Sequence, residues 1–526
     1  MKILIADKID NAAIDILRQN GFEVDMKTGL SEDEIAGIIG SYHALLVRSG
    51  VKVTSKIIDS ARNLKVIGRA GVGVDNIDVN AATSKGIVVM NTPLGNVNAA
   101  AEHTAAMILA LSRHLHKADS SMKKGLWDRK KFEGNELRGK AIGNIGLGNV
   151  GKIIARIMQG FNAVIYGYDP FVSEVAAKEL GIKLAGLDEV YKNSDYITIH
   201  VPLNDKTKNM ISKKEFEIMK KGVRIVNVGR GGLINENDLY DAITEGKVAG
   251  AAIDVWENEP LKDYKLAMLE NVLATPHLGA STEEAQKNVA IDIAKQASDY
   301  LKNGIISGAV NIRSLKAEDY KSIFPYISLI EKLGSICLQI SDGGVERVEI
   351  HYRGKMAEYE TSALTPYAVK GILKHICGSS VNEVNSMLMA SSRGIKVVDS
   401  KSKETENYTN LVRVIITTDK DVFKVNGTIF DDMKERIVKL NDFDIDMMPE
   451  GNLILTHNLD VPGVIGQIGT ILGNSNINIA RMAVGRNSAY GGALNVATVD
   501  GEVPNDAIEK LRNAKNVVSV RVVKAK

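Results

Sequence analysis

Cysteine is scarce in this chain and neither sign of charge predominates, which excludes two broad classes of protein. Two cysteines among 526 residues cannot form a disulfide framework, and no CxxC pair indicates a zinc site. The 66 lysines and arginines nearly balance the 64 aspartates and glutamates. A net charge of +2 gives no electrostatic reason to bind nucleic acid, so we expect neither a metal site nor a nucleic-acid partner.

Long apolar runs are missing as well. The longest uncharged apolar stretches, such as residues 105–111, are far shorter than the roughly 20 residues that span a bilayer. Residues 2–6 already look like a strand and lack the pattern of a signal peptide. With 44% hydrophobic and 25% charged residues, the composition is that of a soluble protein. We expect a cytoplasmic protein without membrane contact and, at about 150 residues per domain, with three or four domains.

Short β-branched runs alternate with amphipathic segments over roughly the first 300 residues. This alternation predicts two α/β units in succession, each a parallel sheet with helices on both faces. A strongly periodic helix then ends at Gly304, a residue type favoured just past a helix end. The strands are predicted at 3–6, 44–47, 66–68 and 88–90, then at 142–145, 164–168, 196–200, 223–228, 250–255 and 272–275; helices are predicted at 12–20, 32–39, 152–159 and 281–303.

The character of the chain changes after Gly304. Residues 315–449 are more polar, with strand-like runs separated by glycine and helical stretches, and a Pro-Glu-Gly turn follows at 449–451. The last 75 residues then predict a βαββαβ order, which is the ferredoxin-like pattern. Its elements are predicted at 453–457, 463–474, 478–484, 492–499, 504–513 and 517–523.

A glycine-rich loop predicts a dinucleotide site. The segment Gly146-Leu147-Gly148-Asn149-Val150-Gly151 lies between a predicted strand and a predicted helix, and Asp169 ends the next strand about 20 residues on. Glycines let the backbone approach a pyrophosphate, and the carboxylate can bind the ribose diol while repelling a 2′-phosphate. The spacing therefore favours NAD over NADP, although a purely structural turn is the alternative. A similar segment at 71–76 lacks the third glycine.

Three further residues follow predicted strands downstream of that loop, and their types suit the oxidation of an alcohol. His277 can take a hydroxyl proton, Glu259 can orient the imidazole, and Arg230 can bind a carboxylate bidentately. Loops at the carboxyl ends of parallel strands lie on the same edge of a sheet, so we expect these residues to converge. Taken singly, each is equally compatible with an ordinary loop residue, a solvated acid or a surface ion pair.

Together these motifs resemble the D-isomer-specific 2-hydroxyacid dehydrogenases, and in particular the long-type D-3-phosphoglycerate dehydrogenases. The resemblance runs the whole length of the chain. It implies NAD-dependent oxidation of 3-phospho-D-glycerate to 3-phosphohydroxypyruvate, the first step of L-serine biosynthesis. The matching segments are 146–151, 200–203, 227–232, 254–260 and 276–282, with 68–76 and 90–96 similar to substrate-domain loops.

The resemblance also implies the domain organisation and the roles of site residues. Arg230, Glu259 and His277 would form the active site, and Asn149, Val150, Asp169 and Asp254 would lie along the cofactor with Gly146, Gly148 and Gly151. The domains would be a discontinuous substrate-binding domain (1–97 and 282–312), an NAD-binding Rossmann domain (98–281), an intervening regulatory domain (313–449) and an ACT domain (450–526). A homodimer or homotetramer is implied as well.

A phosphorylated substrate needs more cations than lactate does, and cations stand at strand ends in the first unit. The resemblance places Arg48, Arg69 and Asn96 at the substrate and brings Arg129 from a neighbouring subunit. Residues 123–131 are basic, and a solvated loop or a subunit contact explains them better than a nucleic-acid patch. The sequence departs from the family pattern at Asn144, Val72 and Gly229.

The C-terminal unit resembles an ACT domain, which in similar enzymes binds L-serine. Asp460 could pair with an ammonium group, and Asn458 and Asn478 could bind a carboxylate or hydroxyl; turn and cap roles are the alternative. The ligand of the 313–449 domain stays open. Two other functions remain alternatives: a related dehydrogenase acting on glycerate, lactate or hydroxypyruvate, and an amino-acid-responsive regulator built on a degenerate dehydrogenase fold.

Overall fold

Buried runs of branched aliphatic residues form the centres of four β-sheets in a computed structural model of the chain. The structure describes residues 1–313, 319–430, 433–487 and 491–525, with the side chains of 320 and 321 left out. The first two sheets are wholly parallel, and the last two contain antiparallel strands. This confirms the predicted fold class of two doubly wound units followed by an α+β unit and a ferredoxin-like unit.

The first sheet has five parallel strands in the order β2-β1-β3-β4-β5, so the strand order reverses between β1 and β3. Its strands are β1 (Lys2–Ile5), β2 (Glu23–Met26), β3 (Ala44–Val47), β4 (Val66–Arg69) and β5 (Val88–Asn91). Its helices are α1 (Asn11–Gln19), α2 (Glu32–Ile38), α3 (Ser55–Ser60) and α4 (Val79–Ser84).

The second sheet has seven parallel strands in the order β12-β11-β10-β9-β6-β7-β8, with the reversal between β6 and β9. Ligands of such sheets bind at the carboxyl ends of the strands beside this reversal. Its strands are β6 (Ala141–Ile145), β7 (Val164–Tyr168), β8 (Lys183–Leu184), β9 (Tyr196–Ile199), β10 (Val223–Asn227), β11 (Val248–Ile253) and β12 (Val272–Ala274). The helices are α5 (Val97–Ser112), α6 (Leu115–Lys123), α7 (Asn149–Gly160), α8 (Glu174–Glu179), α9 (Leu187–Asn193), α10 (Lys213–Ile218), α11 (Glu236–Thr244) and α12 (Glu283–Asn303).

Helix α12 returns to the first sheet although it follows the second sheet in the chain. Its buried residues Val289, Ile293 and Leu301 share a core with strands β1, β3 and β4. A Cβ atom on Gly68 of β4 would lie 2.7 Å from Ile293 Cγ1, so only glycine permits this close approach. The helix ends at Gly304 in the left-handed conformation, as predicted.

The third unit is a six-stranded sheet in the order β14-β13-β15-β16-β17-β18, covered by helices. Its helices are α13 (Tyr320–Ile340), α14 (Thr365–Cys377) and α15 (Ser386–Ser392). Its strands are β13 (Val345–Gly354), β14 (Lys396–Ser402), β15 (Asn410–Thr418), β16 (Val422–Ile429), β17 (Glu435–Leu440) and β18 (Phe443–Met447).

The fourth unit is a four-stranded sheet in the order β20-β21-β19-β22, with two helices on one face. Its elements are β19 (Gly451–Leu459), α16 (Val464–Asn474), β20 (Ile479–Arg486), β21 (Gly492–Val499), α17 (Asn505–Arg512) and β22 (Val517–Ala525). The opposite face packs against the third unit, because Leu453, Val496 and Val523 belong to the same buried cluster as Leu333 and Ile336 of α13.

Residues Ser322–Ile340 of α13 are long and apolar enough to cross a membrane by length and composition alone. Leu329, Leu333 and Ile336 are nevertheless buried against the third sheet, so the stretch is a core helix of that unit. The sequence analysis did not single it out, because Glu331 and Lys332 interrupt the apolar run.

Candidate active site

Three loops meet at the carboxyl edge of the second sheet, following β10, β11 and β12. A Cβ atom on Gly231 would overlap the carbonyl oxygen of Trp256, so the first two loops are in direct backbone contact. The Trp256 indole N–H donates to the carbonyl of Thr275 at 3.1 Å, which joins the second loop to the third. The convergence expected from the sequence is present in the structure.

His277 and Glu259 form a pair at the meeting point of these loops. His277 Nδ1 lies 2.7 Å from Glu259 Oε2, and the backbone N–H of Trp256 donates to Glu259 Oε1 at 3.0 Å. Burial alone would raise the pKa of the Glu259 carboxyl, but the hydrogen bonds from His277 and Trp256 outweigh it and lower the pKa. Glu259 is therefore ionised at neutral pH, and the second imidazole nitrogen of His277 remains available for proton transfer.

Asp254 is fully buried and holds the loop that carries His277. Its two oxygens accept hydrogen bonds from the Thr275 hydroxyl and from the N–H groups of Leu278 and Gly279, at 2.6 to 2.8 Å. Burial alone would raise the pKa of this carboxyl. The contact with the His103 ring and the other hydrogen bonds instead lower the pKa to about 2. The sequence analysis placed Asp254 along the cofactor; in the structure its carboxylate braces the loop.

The glycine-rich loop joins β6 to α7 as predicted. Gly148 is the N-cap of α7, and Asn149 and Val150 open its first turn. A Cβ atom on Gly151 would overlap the carbonyl oxygen of Gly146, whereas nothing lies within 4 Å of a Cβ atom on Gly148. The loop thus packs tightly on one side and leaves open space at the helix N-terminus, where a pyrophosphate binds in such folds.

Two polar residues fix the geometry of this loop. Asp169, just past β7, accepts the N–H of Leu147 at 2.9 Å through one oxygen and that of Phe171 at 2.9 Å through the other. The buried amide of Asn144 donates to the carbonyl of Gly151 at 2.7 Å. Asn144, noted as a departure from the family pattern, is therefore a brace for the loop.

Arg230 faces the first sheet across the interdomain cleft. Its Nε lies 3.4 Å from Asp75 Oδ2, and a Cβ atom on Gly73 would overlap its guanidinium. The segment at 71–76, which lacks the third glycine of a cofactor loop, is thus the surface that Arg230 contacts.

Arg69 and Arg48 stand at the ends of neighbouring strands. Together with Arg230 they concentrate positive charge in this region. Burial, followed by repulsion from Arg230 and Arg48, lowers the pKa of Arg69 to about 10 despite the attraction of Asp75. The Arg69 Nε is buried and has no hydrogen-bond partner among the residues that the structure describes. Three guanidinium groups are thus kept together despite burial and mutual repulsion. Such a cluster suits a substrate with more than one negative charge.

The other two predicted substrate residues lie farther along the chain. Asn96 is the N-cap of α5, where its side chain makes no capping hydrogen bond. Arg129 is exposed on a 3-10 turn, Arg129–Phe132. In the described part of the chain no other predicted site residue forms a hydrogen bond or ion pair with it.

The structure does not bring the three predicted effector residues together. Asp460 and Asn458 lie at the end of β19 that pairs with Gly492, with Asp460 3.5 Å from Arg486. The side chain of Asn458 is buried and hydrogen-bonded to Asn495. Asn478 precedes β20 at the opposite end of the sheet and donates to Asp500 at 2.7 Å. One chain alone therefore cannot form the predicted site, because parallel strands β19 and β20 place these residues at opposite ends.

Sequence reasoning missed several residues that shape the site. His103 on α5 faces Asp254, Asp75 pairs with Arg230, and Asp7 accepts the backbone N–H groups of Arg48 and Val51 at 2.7 and 3.1 Å. Asp7 follows β1 at the strand-order reversal of the first sheet, which was the available signal. Within the described residues no group of three or more His, Cys, Asp or Glu side chains could hold a metal ion.

Three family models match successive parts of the chain. The model of the D-isomer specific 2-hydroxyacid dehydrogenase NAD binding domain matches residues 105–279. That of the D-3-phosphoglycerate dehydrogenase intervening domain matches 322–441, and that of the ACT domain matches 452–516.

Similar proteins extend over the whole length of the chain. It is 41% identical to the D-3-phosphoglycerate dehydrogenase of Archaeoglobus fulgidus over 526 residues, covering 99% of this chain and 100% of that one. It is 42% identical to the enzyme of that name from Methanocaldococcus jannaschii, with 99% of each chain covered. The protein of the same name from Bacillus subtilis is 40% identical, again over 99% of each chain.

Solved structures match about three-fifths of the chain. A D-lactate dehydrogenase from Aquifex aeolicus, complexed with NAD and lactic acid, is 26% identical with a TM-score of 0.52, covering 57% of this chain and 96% of that one. A glyoxylate reductase from Paecilomyes thermophila is 28% identical with a TM-score of 0.55, covering 59% and 98%.

Proposed function

The chain belongs to the D-3-phosphoglycerate dehydrogenase family, and we propose that it oxidises 3-phospho-D-glycerate at C2 to 3-phosphohydroxypyruvate as the first step of L-serine biosynthesis. The observation that carries the proposal is the His277–Glu259 pair at the cleft beside three arginines. The identity of about 40% to enzymes of this name over their full length supports the same reaction.

The chemistry requires one proton and one hydride to leave the C2 alcohol. His277 takes the hydroxyl proton at its free ring nitrogen, and ionised Glu259 stabilises the imidazolium that results. NAD, when bound at the glycine-rich loop, supplies the acceptor for the hydride. Gly146, Gly148, Asn149, Val150 and Gly151 would line that cofactor, with Asp169 at its ribose and Asp254 behind the loop of His277.

The substrate carries a carboxylate and a phosphate, and the cleft offers cations for both. Arg230 would bind the carboxylate, and Arg69 and Arg48 would bind the phosphate together with Asn96. Burial, followed by repulsion from Arg230 and Arg48, lowers the pKa of Arg69. A bound anion would raise this pKa by attraction, so substrate binding and guanidinium protonation favour one another. Arg129 would come from a second copy of the chain in a homodimer or homotetramer.

The proposed division of labour follows the four units. Residues 1–97 with 282–312 would bind substrate, 98–281 would bind NAD, and 313–449 and 450–526 would regulate turnover. L-serine is the proposed effector of the ACT domain, in a site that takes Asp460 and Asn458 from one chain and Asn478 from a second copy. We propose that the enzyme works in the cytoplasm.

The proposal is tested by following absorbance at the NADH band with NAD and 3-phosphoglycerate, with and without L-serine. Turnover that serine suppresses supports both the reaction and the effector. Turnover indifferent to serine supports the reaction and removes serine as effector. No turnover with 3-phosphoglycerate, but turnover of glycerate or lactate, would overturn the role of Arg48 and Arg69 at a phosphate.

Replacement of His277 tests the base directly. His277→Asn keeps a polar side chain but removes the titrating nitrogen, so turnover should fall by roughly 10² to 10⁴. The thermal unfolding midpoint should change little, because the side chain is 45% exposed. Turnover close to that of the unmodified enzyme would remove His277 from the mechanism.

A further inference from the structure

A histidine outside the proposed catalytic set lies against the carboxylate that braces the loop of His277. His103 Nε2 is 3.3 Å from Asp254 Oδ1. This nitrogen is shielded from solvent, and in the described part of the chain its contact with Asp254 is an ion-pair approach that falls short of hydrogen-bond geometry. Because Asp254 is ionised, the nitrogen facing it must carry a proton, and His103 therefore presents an N–H group to a buried anion.

Asp254 connects His103 to the backbone of His277 and of the two residues that follow it. Its backbone carbonyl accepts the N–H of His277 at 2.8 Å, and its side chain accepts the N–H groups of Leu278 and Gly279. His277 itself has a left-handed backbone with φ 56°. A non-glycine residue keeps that conformation only where its surroundings hold it, so the position of the imidazole depends on the position of the Asp254 carboxylate.

His103 also connects this carboxylate to the substrate side of the cleft. It stands on α5, which begins at Val97 immediately after Asn96. His103 lies seven residues after Asn96, which is about 10 Å at 1.5 Å per residue. Helix α5 therefore begins next to a proposed substrate-binding residue. Two turns later it contacts, through His103, the carboxylate that braces the loop of His277.

We infer that His103 is a positioning residue, which acts through Asp254 to hold His277 in place for proton transfer. This inference rests on the proposed function. This positioning role requires an N–H donor at the place that His103 Nε2 occupies. Glutamine reaches about as far and supplies such a donor, whereas leucine fills a similar volume and supplies none. A purely packing role would instead be satisfied by leucine.

The test uses the full-length enzyme with His103→Leu, His103→Gln and, as a matched control, His351→Leu on the third sheet. His103→Leu should lower kcat at least tenfold while the KM for 3-phosphoglycerate changes less than threefold. His103→Gln should restore most of the lost turnover, and His351→Leu should leave it unchanged. Amide hydrogen exchange of a peptide containing residues 277–283 should quicken about tenfold in His103→Leu and stay as in the unmodified enzyme in His103→Gln.

Two results would overturn the inference. One is a His103→Leu enzyme whose turnover and exchange match the unmodified enzyme. The other is equal damage in the leucine and glutamine variants together with a lowered thermal midpoint, which would show that the lost turnover comes from a destabilised fold and not from a missing N–H donor. If the unmodified enzyme fails to oxidise 3-phosphoglycerate, the proposed function falls, whereas the exchange measurement still decides whether His103 holds the loop.

Discussion

His277 is held from both sides: its ring contacts Glu259 at 2.7 Å and its backbone N–H donates to Asp254. Two carboxylates therefore have different tasks beside one histidine. Glu259 is half-exposed and faces the ring, where a developing positive charge needs stabilisation. Asp254 is buried and faces the backbone, where it sets the position of the loop. Removal of the Glu259 carboxylate should accordingly affect turnover, whereas removal of the Asp254 carboxylate should affect stability.

Substitution of Asp254 should destabilise the protein in a pH-dependent way. The folded-state pKa is about 2, below the ordinary value of 3.8, so the ionised carboxyl contributes stability above pH 4 that is lost as the pH falls through 2. Asp254→Asn should cost about 2 kcal/mol, at 1.4 kcal/mol for each pKa unit. The difference in thermal unfolding midpoint between Asp254→Asn and the unmodified protein should be constant from pH 7 to 5. This gap should narrow below pH 4. A gap that already narrows between pH 7 and 5 would contradict this assignment.

Substitution of Asp169 should change the choice of cofactor. Asp169→Ala removes a negative charge beside the ribose position, so the ratio of kcat/KM for NAD to that for NADP should fall by about tenfold, or 1.4 kcal/mol. Activity with NAD should also decline, because Asp169 holds the N–H groups of Leu147 and Phe171. Asp205→Ala, on an exposed loop, is the control. An unchanged ratio would count against the ribose role.

At this scale the sequence predicted residues that lie in recognisable motifs and missed those that support them. His277, Glu259 and Arg230 follow strands in segments with family signatures, and the structure brings their loops together. His103 lies within a helix whose apolar residues gave no sign of a nearby carboxylate. Asn478 was grouped with Asp460 because their side chains could bind the polar groups of an amino acid. In the structure Asp460 follows the end of β19 and Asn478 precedes the start of β20, and these two strands run parallel, so the residues lie at opposite ends of the sheet.

The strand-loop-helix element β6–α7 illustrates how the same residue type serves two purposes. Gly151 is required by the fold, since its α carbon lies against the Gly146 carbonyl, whereas Gly148 faces open space. A methyl group on each glycine should therefore separate folding from cofactor binding.

Gly151→Ala should destabilise the protein by about 1 to 3 kcal/mol, because the added carbon overlaps backbone atoms. Gly148→Ala should leave the thermal midpoint unchanged and weaken NAD binding, measured by titration calorimetry. Equal thermal midpoints for the two variants would show that the backbone of the loop shifts to accommodate the methyl group added at Gly151. Unchanged NAD affinity in Gly148→Ala would show that the pyrophosphate lies elsewhere.

Most elements of the first half could be predicted because buried parallel strands are continuous β-branched runs. Strands β3, β7 and β21 have the predicted bounds, and the bounds of the other strands predicted in the first, second and fourth sheets differ by at most two residues. Strands β2 and β8 and helix α5 are among the elements that the sequence analysis missed. Strand β2 is a four-residue edge strand with one buried residue. The buried residues of α5 lie on one face, but apolar residues such as Ala99, Ala106 and Leu109 on its less buried face weaken the amphipathic period.

At the scale of the whole chain, the third and fourth sheets share one apolar core. Helix α13 packs on both, and its Gln339 amide pairs with the backbone of Lys524 on the edge strand β22, at 2.9 and 3.0 Å. Removal of the fourth sheet would therefore expose apolar residues of α13 and β18 to water.

Two truncations should consequently behave differently. A chain ending at residue 313 should fold and turn over substrate without serine control, because structures matching about three-fifths of this chain are complete dehydrogenases. A chain ending at 449 should bind an apolar dye and aggregate, because part of a shared core is missing. Size-exclusion chromatography and the NADH assay check both, against the full chain. A monodisperse 1–449 fragment that binds no dye would contradict the shared core.

The first and third sheets are joined at two places, by the chain after α12 and by a contact between residues far apart in sequence. Asn311 donates to the carbonyl of Ile87 at 2.9 Å, and Asn382 donates to that of the adjacent Gly86 at 2.6 Å while Val384 is buried in the core of the first sheet. A body attached at two points cannot swivel freely about either. Rotation of the third sheet away from the first would have to expose Val384 to water, so this buried contact opposes a free swing of the third sheet.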